Sequence, residues 1–112
     1  MTLFKLNNLG EFDLGAILST KDMGITLKEP NNNSDLPIKF RYSEIEENKT
    51  YPLHVHDYGE TIIVFSGNAC LECNKQNYYL ESGDLVYIFP GEIHSITNIG
   101  EGQLKTISFY TK

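Results

Sequence analysis

The strongest constraint on the fold of this 112-residue chain is a string of short β-like runs, with turn residues every few positions and no sustained helical period. No 11-residue window keeps apolar residues at i, i+3, i+4 and i+7, as a packed helix would require. Runs rich in Ile, Val, Leu, Phe, Tyr and Thr alternate instead with clusters of Gly, Pro, Asn and Asp. They cover residues 3–6, 12–19, 25–27, 37–43, 51–56, 61–66, 69–73, 78–80, 85–89, 93–97 and 104–110. The pattern predicts about ten short strands. Residues 29–35 read as a Pro/Asn/Asp loop and 44–49 as a charged turn. Strands this short and this frequent fold as a sandwich or a closed barrel around one interior.

Composition sets the scale and excludes several functions. The chain is 40% hydrophobic and 21% charged, enough for one core and one domain over residues 1–112. Nine basic against 15 acidic residues leave a formal charge of −6. That balance excludes a basic face for nucleic acid and adhesion to an anionic membrane. Two Cys cannot build a disulfide framework, and no N-terminal segment reads as a signal peptide. No apolar run approaches bilayer length, so the expected compartment is the cytoplasm.

The chain has three His: His54, His56 and His94. His54 and His56 are two apart on an expected strand, which sends both to one face. Glu60 follows across a turn at Asp57, Tyr58 and Gly59. Three imidazoles and a carboxylate form a mixed N/O set suited to a divalent transition metal: Zn, Fe, Mn, Ni, Co or Cu. Strand spacing brings two of them together locally; the barrel must deliver His94.

The spacing continues beyond the ligands. It runs His54-x-His56, three residues, Glu60, six residues, Gly67; then Gly83-Asp84, Pro90-Gly91-x-x-His94-x-x-x-Asn98. This resembles the two signature motifs of the cupin superfamily, the first over about residues 54–67 and the second over about 83–98. Every His lands on a ligand position. Two positions depart from the pattern: Asn48 stands where the first motif begins with Gly, and Pro90 is one place late, with Phe89 in its usual position. Asn is among the residues that best tolerate positive φ. The resemblance implies an all-β fold, a small cupin β-barrel (double-stranded β-helix, or jelly roll). It places His54, His56, Glu60 and His94 on one metal inside the barrel mouth, and implies a homodimer formed by sheet extension, with residues 12–18 as the expected interface.

Other residues are weighed by strand parity. Cys70 and Cys73 have Cys-x-x-Cys spacing, but on a strand they point to opposite faces, leaving Cys73 as a small core residue. Arg41, the only Arg, could clamp a carboxylate. Alternation nevertheless assigns Ile38, Phe40 and Tyr42 to the inner face and Arg41 to the surface. Tyr58, beside Glu60, is the candidate for proton transfer; Tyr42 and Tyr87 are the candidates for substrate contact. Core packing with the hydroxyl at the rim is the competing reading for each. No further His or carboxylate is left as an evident general base.

Fold alone does not select a reaction. The resemblance implies a protein that acts on or binds a small molecule at the metal, as a dioxygenase-, isomerase- or lyase-type enzyme. The alternative is a non-catalytic metabolite or sugar sensor working with a separate output partner.

Overall fold

The computed structural model describes residues 1–14 and 19–112. Among them the chain forms β1 (Gly10–Phe12), β2 (Ile25–Glu29), β3 (Lys39–Ile45), β4 (Thr50–His54) and β5 (Glu60–Ser66). It continues with β6 (Asn68–Cys73), β7 (Gln76–Glu81), β8 (Leu85–Ile88), β9 (His94–Asn98) and β10 (Leu104–Tyr110). Short 3₁₀ turns occupy Leu6–Asn8 and Asn33–Asp35. A six-stranded sheet in the order β1-β2-β3-β10-β5-β8 faces a four-stranded sheet in the order β4-β9-β6-β7. All pairings are antiparallel. The expected all-β architecture is therefore present, in a jelly-roll arrangement.

The two sheets bury one core between them. Ile25, Leu27, Ile45, Val64 and Leu104 come from the larger sheet, and Ala69, Leu71, Leu80 and Ile96 from the smaller. Strand register sorts this interior along its length. Ile45 lies opposite both Ile25 and Leu104, so one end is wholly apolar. At the other end Arg41 lies opposite Ser108, and Glu60 opposite Tyr110. The smaller sheet runs the same way, from Ala69 and Leu71 to Cys73 opposite His94. The interior thus grades from a dry apolar end to a polar end.

Several boundaries differ from the sequence expectation. Residues 3–6 make no strand; Met1 and Leu3 are exposed and Phe4 leans on Phe40, ring centroids 6.0 Å apart. Of the run 12–19, only Phe12 is in a strand, and residues 15–18 lie outside the described residues. The expected turn at 44–49 begins late because β3 keeps pairing with β2 and β10 through Glu44 and Ile45. Tertiary pairing outweighs the local charge there. Asn48 does take a left-handed conformation, φ 62°. Gly83 and Asp84 form the expected tight turn, closed by the Glu81 N–H donating to Asp84 Oδ2 at 2.8 Å. Asn98 is buried and bonds the Ile45 and Gly102 carbonyls, so this motif residue ties strand ends together.

Candidate metal centre

Four elements converge at the polar end. His54 closes β4 and lies opposite His94, the first residue of β9. Glu60 opens β5. His56 lies past the end of β4, in the connection to β5, and not on the strand expected for it. That connection is tied to the β8–β9 loop by the Gly91 N–H donating to the His56 carbonyl at 3.0 Å. The ligand atoms of His54, His56, Glu60 and His94 all lie within 4.8 Å of one another.

The imidazoles share one orientation. Nδ1 of His54 faces the Pro52 carbonyl at 2.9 Å, Nδ1 of His56 the Tyr58 carbonyl at 2.8 Å, and Nδ1 of His94 the Glu92 carbonyl at 2.8 Å. A carbonyl can only accept, so a neutral ring in each position carries its proton on Nδ1. Each Nε2 then presents a lone pair. His56 Nε2 lies 3.2 Å and His94 Nε2 3.6 Å from Glu60 Oε1. His94 is 2% exposed, and its Nε2 has no hydrogen-bond partner. Lone pairs facing a carboxylate in a buried space repel unless a proton, as in the His56–Glu60 hydrogen bond, or a metal cation lies between them. The chemistry of this donor set fits a divalent ion, and the backbone carbonyls are the kind of outer contact that orients metal-binding imidazoles.

Electrostatics of the unliganded cluster reflect the same crowding. Burial lowers the pKa of His54, helped by the neighbouring His94 and His56; the Pro52 carbonyl and Glu60 oppose it less strongly. For His94, burial also works against the charged form, but Glu60 and the Glu92 carbonyl outweigh it and the balance is upward. Burial pushes Glu60 up; His94, Ser108 and His56 outweigh it and hold the carboxyl below its usual range.

A cavity of about 70 Å³ opens beside the cluster. Leu27, Ile62 and Ile96 form its apolar surface, while Ser43, Thr106 and Ser108 supply hydroxyls. Tyr58 stacks on His56, centroids 4.2 Å apart and planes 7° from parallel. Tyr51 lies 4.9 Å from the His54 ring. Burial raises the pKa of both phenols, with the Arg41 charge pulling the other way.

The structure separates two sequence candidates from this cavity. Tyr42 lies on the opposite face of β3, against Phe65, and its hydroxyl donates to Glu44 at 2.7 Å. Tyr87 is half exposed on the outside of β8, packed against Phe89. Its hydroxyl occupies the space a side chain at Gly59 would need, so it supports the ligand loop from behind. Arg41 is a further correction: it lines the cavity, so the parity assigned from Ile38, Phe40 and Tyr42 is reversed. The inward face of β3 is Arg41, Ser43 and Ile45; Ile38 is 52% exposed. Sequence reading missed Tyr51, Ser43, Thr106 and Ser108. Alternation of Ser43 with Ile45, and of Leu104, Thr106 and Ser108, was the available signal.

The family model for the cupin domain matches residues 41–110. This chain belongs to the cupin family. Among curated proteins, this cupin is similar to the HTH-type transcriptional activator RhaR of Pectobacterium atrosepticum, 34% identical over 59 residues. The match covers 53% of the chain but 21% of RhaR, so the chain spans about a fifth of that relative. Among solved structures it resembles a predicted oxalate decarboxylase of Thermotoga maritima, with a TM-score of 0.81 at 15% identity, covering 98% of each chain. It also resembles a sugar phosphate isomerase from a cupin superfamily of Silicibacter pomeroyi, with a TM-score of 0.81 at 12% identity, covering 99% of this chain and 76% of the other. At such identities these structures establish the fold and nothing finer.

Proposed function

We propose that this cupin binds a divalent transition metal through His54, His56, Glu60 and His94 and acts on or captures a small molecule in the adjoining cavity. The observation that carries this reading is the acceptor-only cluster: three Nε2 atoms and a carboxylate oxygen crowded within 4.8 Å, with every Nδ1 on a carbonyl. A bound ion would supply Lewis acidity at positions its protein ligands leave open. Tyr58, stacked on His56, is the proposed proton donor; its raised pKa keeps the phenol protonated at neutral pH. Ser108 and the apolar walls orient the ligand and limit water.

Elemental analysis of untagged protein tests the metal. About one ion per chain is expected, falling at least tenfold in His56→Ala and Glu60→Gln. Metal that stays substoichiometric and unchanged by these substitutions rejects the reading. The similarity to RhaR favours a second reading, a sensor that captures a metabolite without turnover. A co-purifying ligand recovered unaltered supports the sensor; product formation or oxygen uptake supports the enzyme.

The two free cysteines support a reducing, cytoplasmic setting. A second copy is the proposed partner, supported by the apolar outer side of β8 and the residue after it, where Leu85, Tyr87 and Phe89 are all exposed. Sedimentation velocity at several concentrations tests this; a monomer throughout rejects it.

A further inference from the structure

Arg41 has a position that a surface or purely structural arginine would not need. Among the described residues it is the only cationic side chain lining the cavity besides the imidazoles. Its guanidinium is held on three sides. Nε donates to Glu29 Oε2 at 3.0 Å, while the Phe12 and Tyr110 rings lie 5.1 and 5.5 Å from its central carbon. Glu29 is itself fixed by the Tyr110 hydroxyl, which donates to the same oxygen at 2.7 Å. The side chain is therefore set before any ligand arrives, at little further entropic cost. Nε is spent on the Glu29 carboxylate and a further guanidinium hydrogen bond goes to the Tyr51 side chain, which leaves part of the five-donor fork for a ligand in the cavity that Arg41 lines.

Arg41 and the four cluster residues line the same cavity. Arg41 on β3 and the Glu60 strand, β5, are separated only by β10. Tyr51 lies between: its phenol feels the Arg41 charge, and its ring is 4.9 Å from His54. Charge completes the picture. Glu29 balances Arg41 and Glu60 balances half of a divalent ion, so a loaded cavity keeps one net positive charge. The cavity of about 70 Å³ is far below the several hundred Å³ typical of drug-sized ligands.

We propose that Arg41 is an anion anchor that takes one carboxylate of a small organic acid, a few carbon atoms long, whose other polar end sits at the His54, His56, Glu60 and His94 centre. This rests on the metal-dependent small-molecule reading above and narrows its ligand class to small acids. A bidentate guanidinium–carboxylate pair supplies both attraction and orientation.

Isothermal titration calorimetry with malonate, and with its neutral analogue malonamide, tests the anchor on the full chain, loaded with Mn²⁺ and separately metal-free. Loaded protein is expected to bind malonate at least tenfold more tightly than malonamide. Arg41→Gln should lose that preference while its Mn²⁺ affinity stays within about twofold of the parent. Glu29→Gln removes the competing carboxylate and should bind malonate as well or better, whereas a merely structural ion pair predicts weaker binding in both variants. Circular dichroism checks that each variant folds. Equal binding of malonate and malonamide, or undiminished malonate binding in folded Arg41→Gln, overturns the anchor and leaves the metal reading standing. Failure to bind Mn²⁺ or any other divalent ion overturns the metal reading instead; malonate binding that still depends on Arg41 in metal-free protein would then uphold the anchor alone.

Discussion

Single residues in this cupin act through what surrounds them. Asn98 is 1% exposed, donates to two carbonyls and accepts from the Gly100 N–H. Asn98→Ala strands the buried Ile45 carbonyl and removes the bonds to Gly100 and Gly102, and should cost about 1–3 kcal/mol; urea denaturation reads this, and a loss below about 0.5 kcal/mol would contradict it. Tyr110 offers a pH test. Burial and its bond to Glu29 push its phenol up to about 12 from an ordinary value of 10.0. A folded value above the unfolded one means the stability it contributes is complete below pH 10 and is lost as pH rises from 10 to about 12. The stability of the parent should therefore fall more steeply over that window than that of Tyr110→Phe, and matching slopes would refute the assignment.

At the scale of elements, the inward and outward faces do not follow the usual rule of apolar inside and polar outside. β10 turns Thr106 and Ser108 into the interior and Ile107 and Phe109 outward, where the N-terminal segment covers part of that outer face. β3 does the same with Arg41 and Ser43 inside and Phe40 and Tyr42 outside. Hydrophobic alternation on β3 therefore points the wrong way at the mouth, where a polar cavity replaces packed core, and the right way at the apolar end, where Ile45 meets Leu104. The turn before β4 is a local matter. Asn48 holds φ 62°, a conformation that Gly adopts freely and Ala does not. Asn48→Gly should leave stability within about 0.5 kcal/mol, while Asn48→Ala should cost about 1–2 kcal/mol. Equal melting temperatures for the two variants would show that the turn relaxes.

For the whole molecule, the His/Glu cluster links the two sheets. Glu60 stands on the six-stranded sheet; His54 and His94 stand on the four-stranded one. An ion bound as proposed would therefore stabilise the sandwich as a unit, and chelation should lower the melting temperature by several degrees. The pH dependence has opposing parts in metal-free protein. The folded pKa of His54 lies below its ordinary value of 6.5, so its contribution is intact above 6.5 and eroded as pH falls toward the folded value. The folded pKa of His94 lies above 6.5, so its contribution is present below 6.5 and lost as pH rises through the folded value. Metal requires all three rings neutral. The melting temperature of loaded protein should thus fall between about pH 7.5 and 5.5 and merge with the flatter curve of chelated protein. A gap that persists at pH 5.5 would contradict metal held by these imidazoles.

The linear chain by itself determined the class of fold and singled out the four residues that the structure brings into one cluster. Strand period and turn residues are local, and the ligand residues stand at short fixed intervals, so both are legible without knowing how the strands pair. Tertiary structure alone decided which face of β3 is the interior, whereas parity already assigned Cys73 on β6 to the core. It carried β3 through the charged Glu44, moved Arg41 from surface to cavity, and put Tyr42 and Tyr87 outside. Those outcomes depend on pairing between distant strands and on where the barrel keeps a polar space, and neither is written in any one segment. The orientation of the rings belongs here too: the carbonyls of Pro52, Tyr58 and Glu92 leave three Nε2 atoms facing one point.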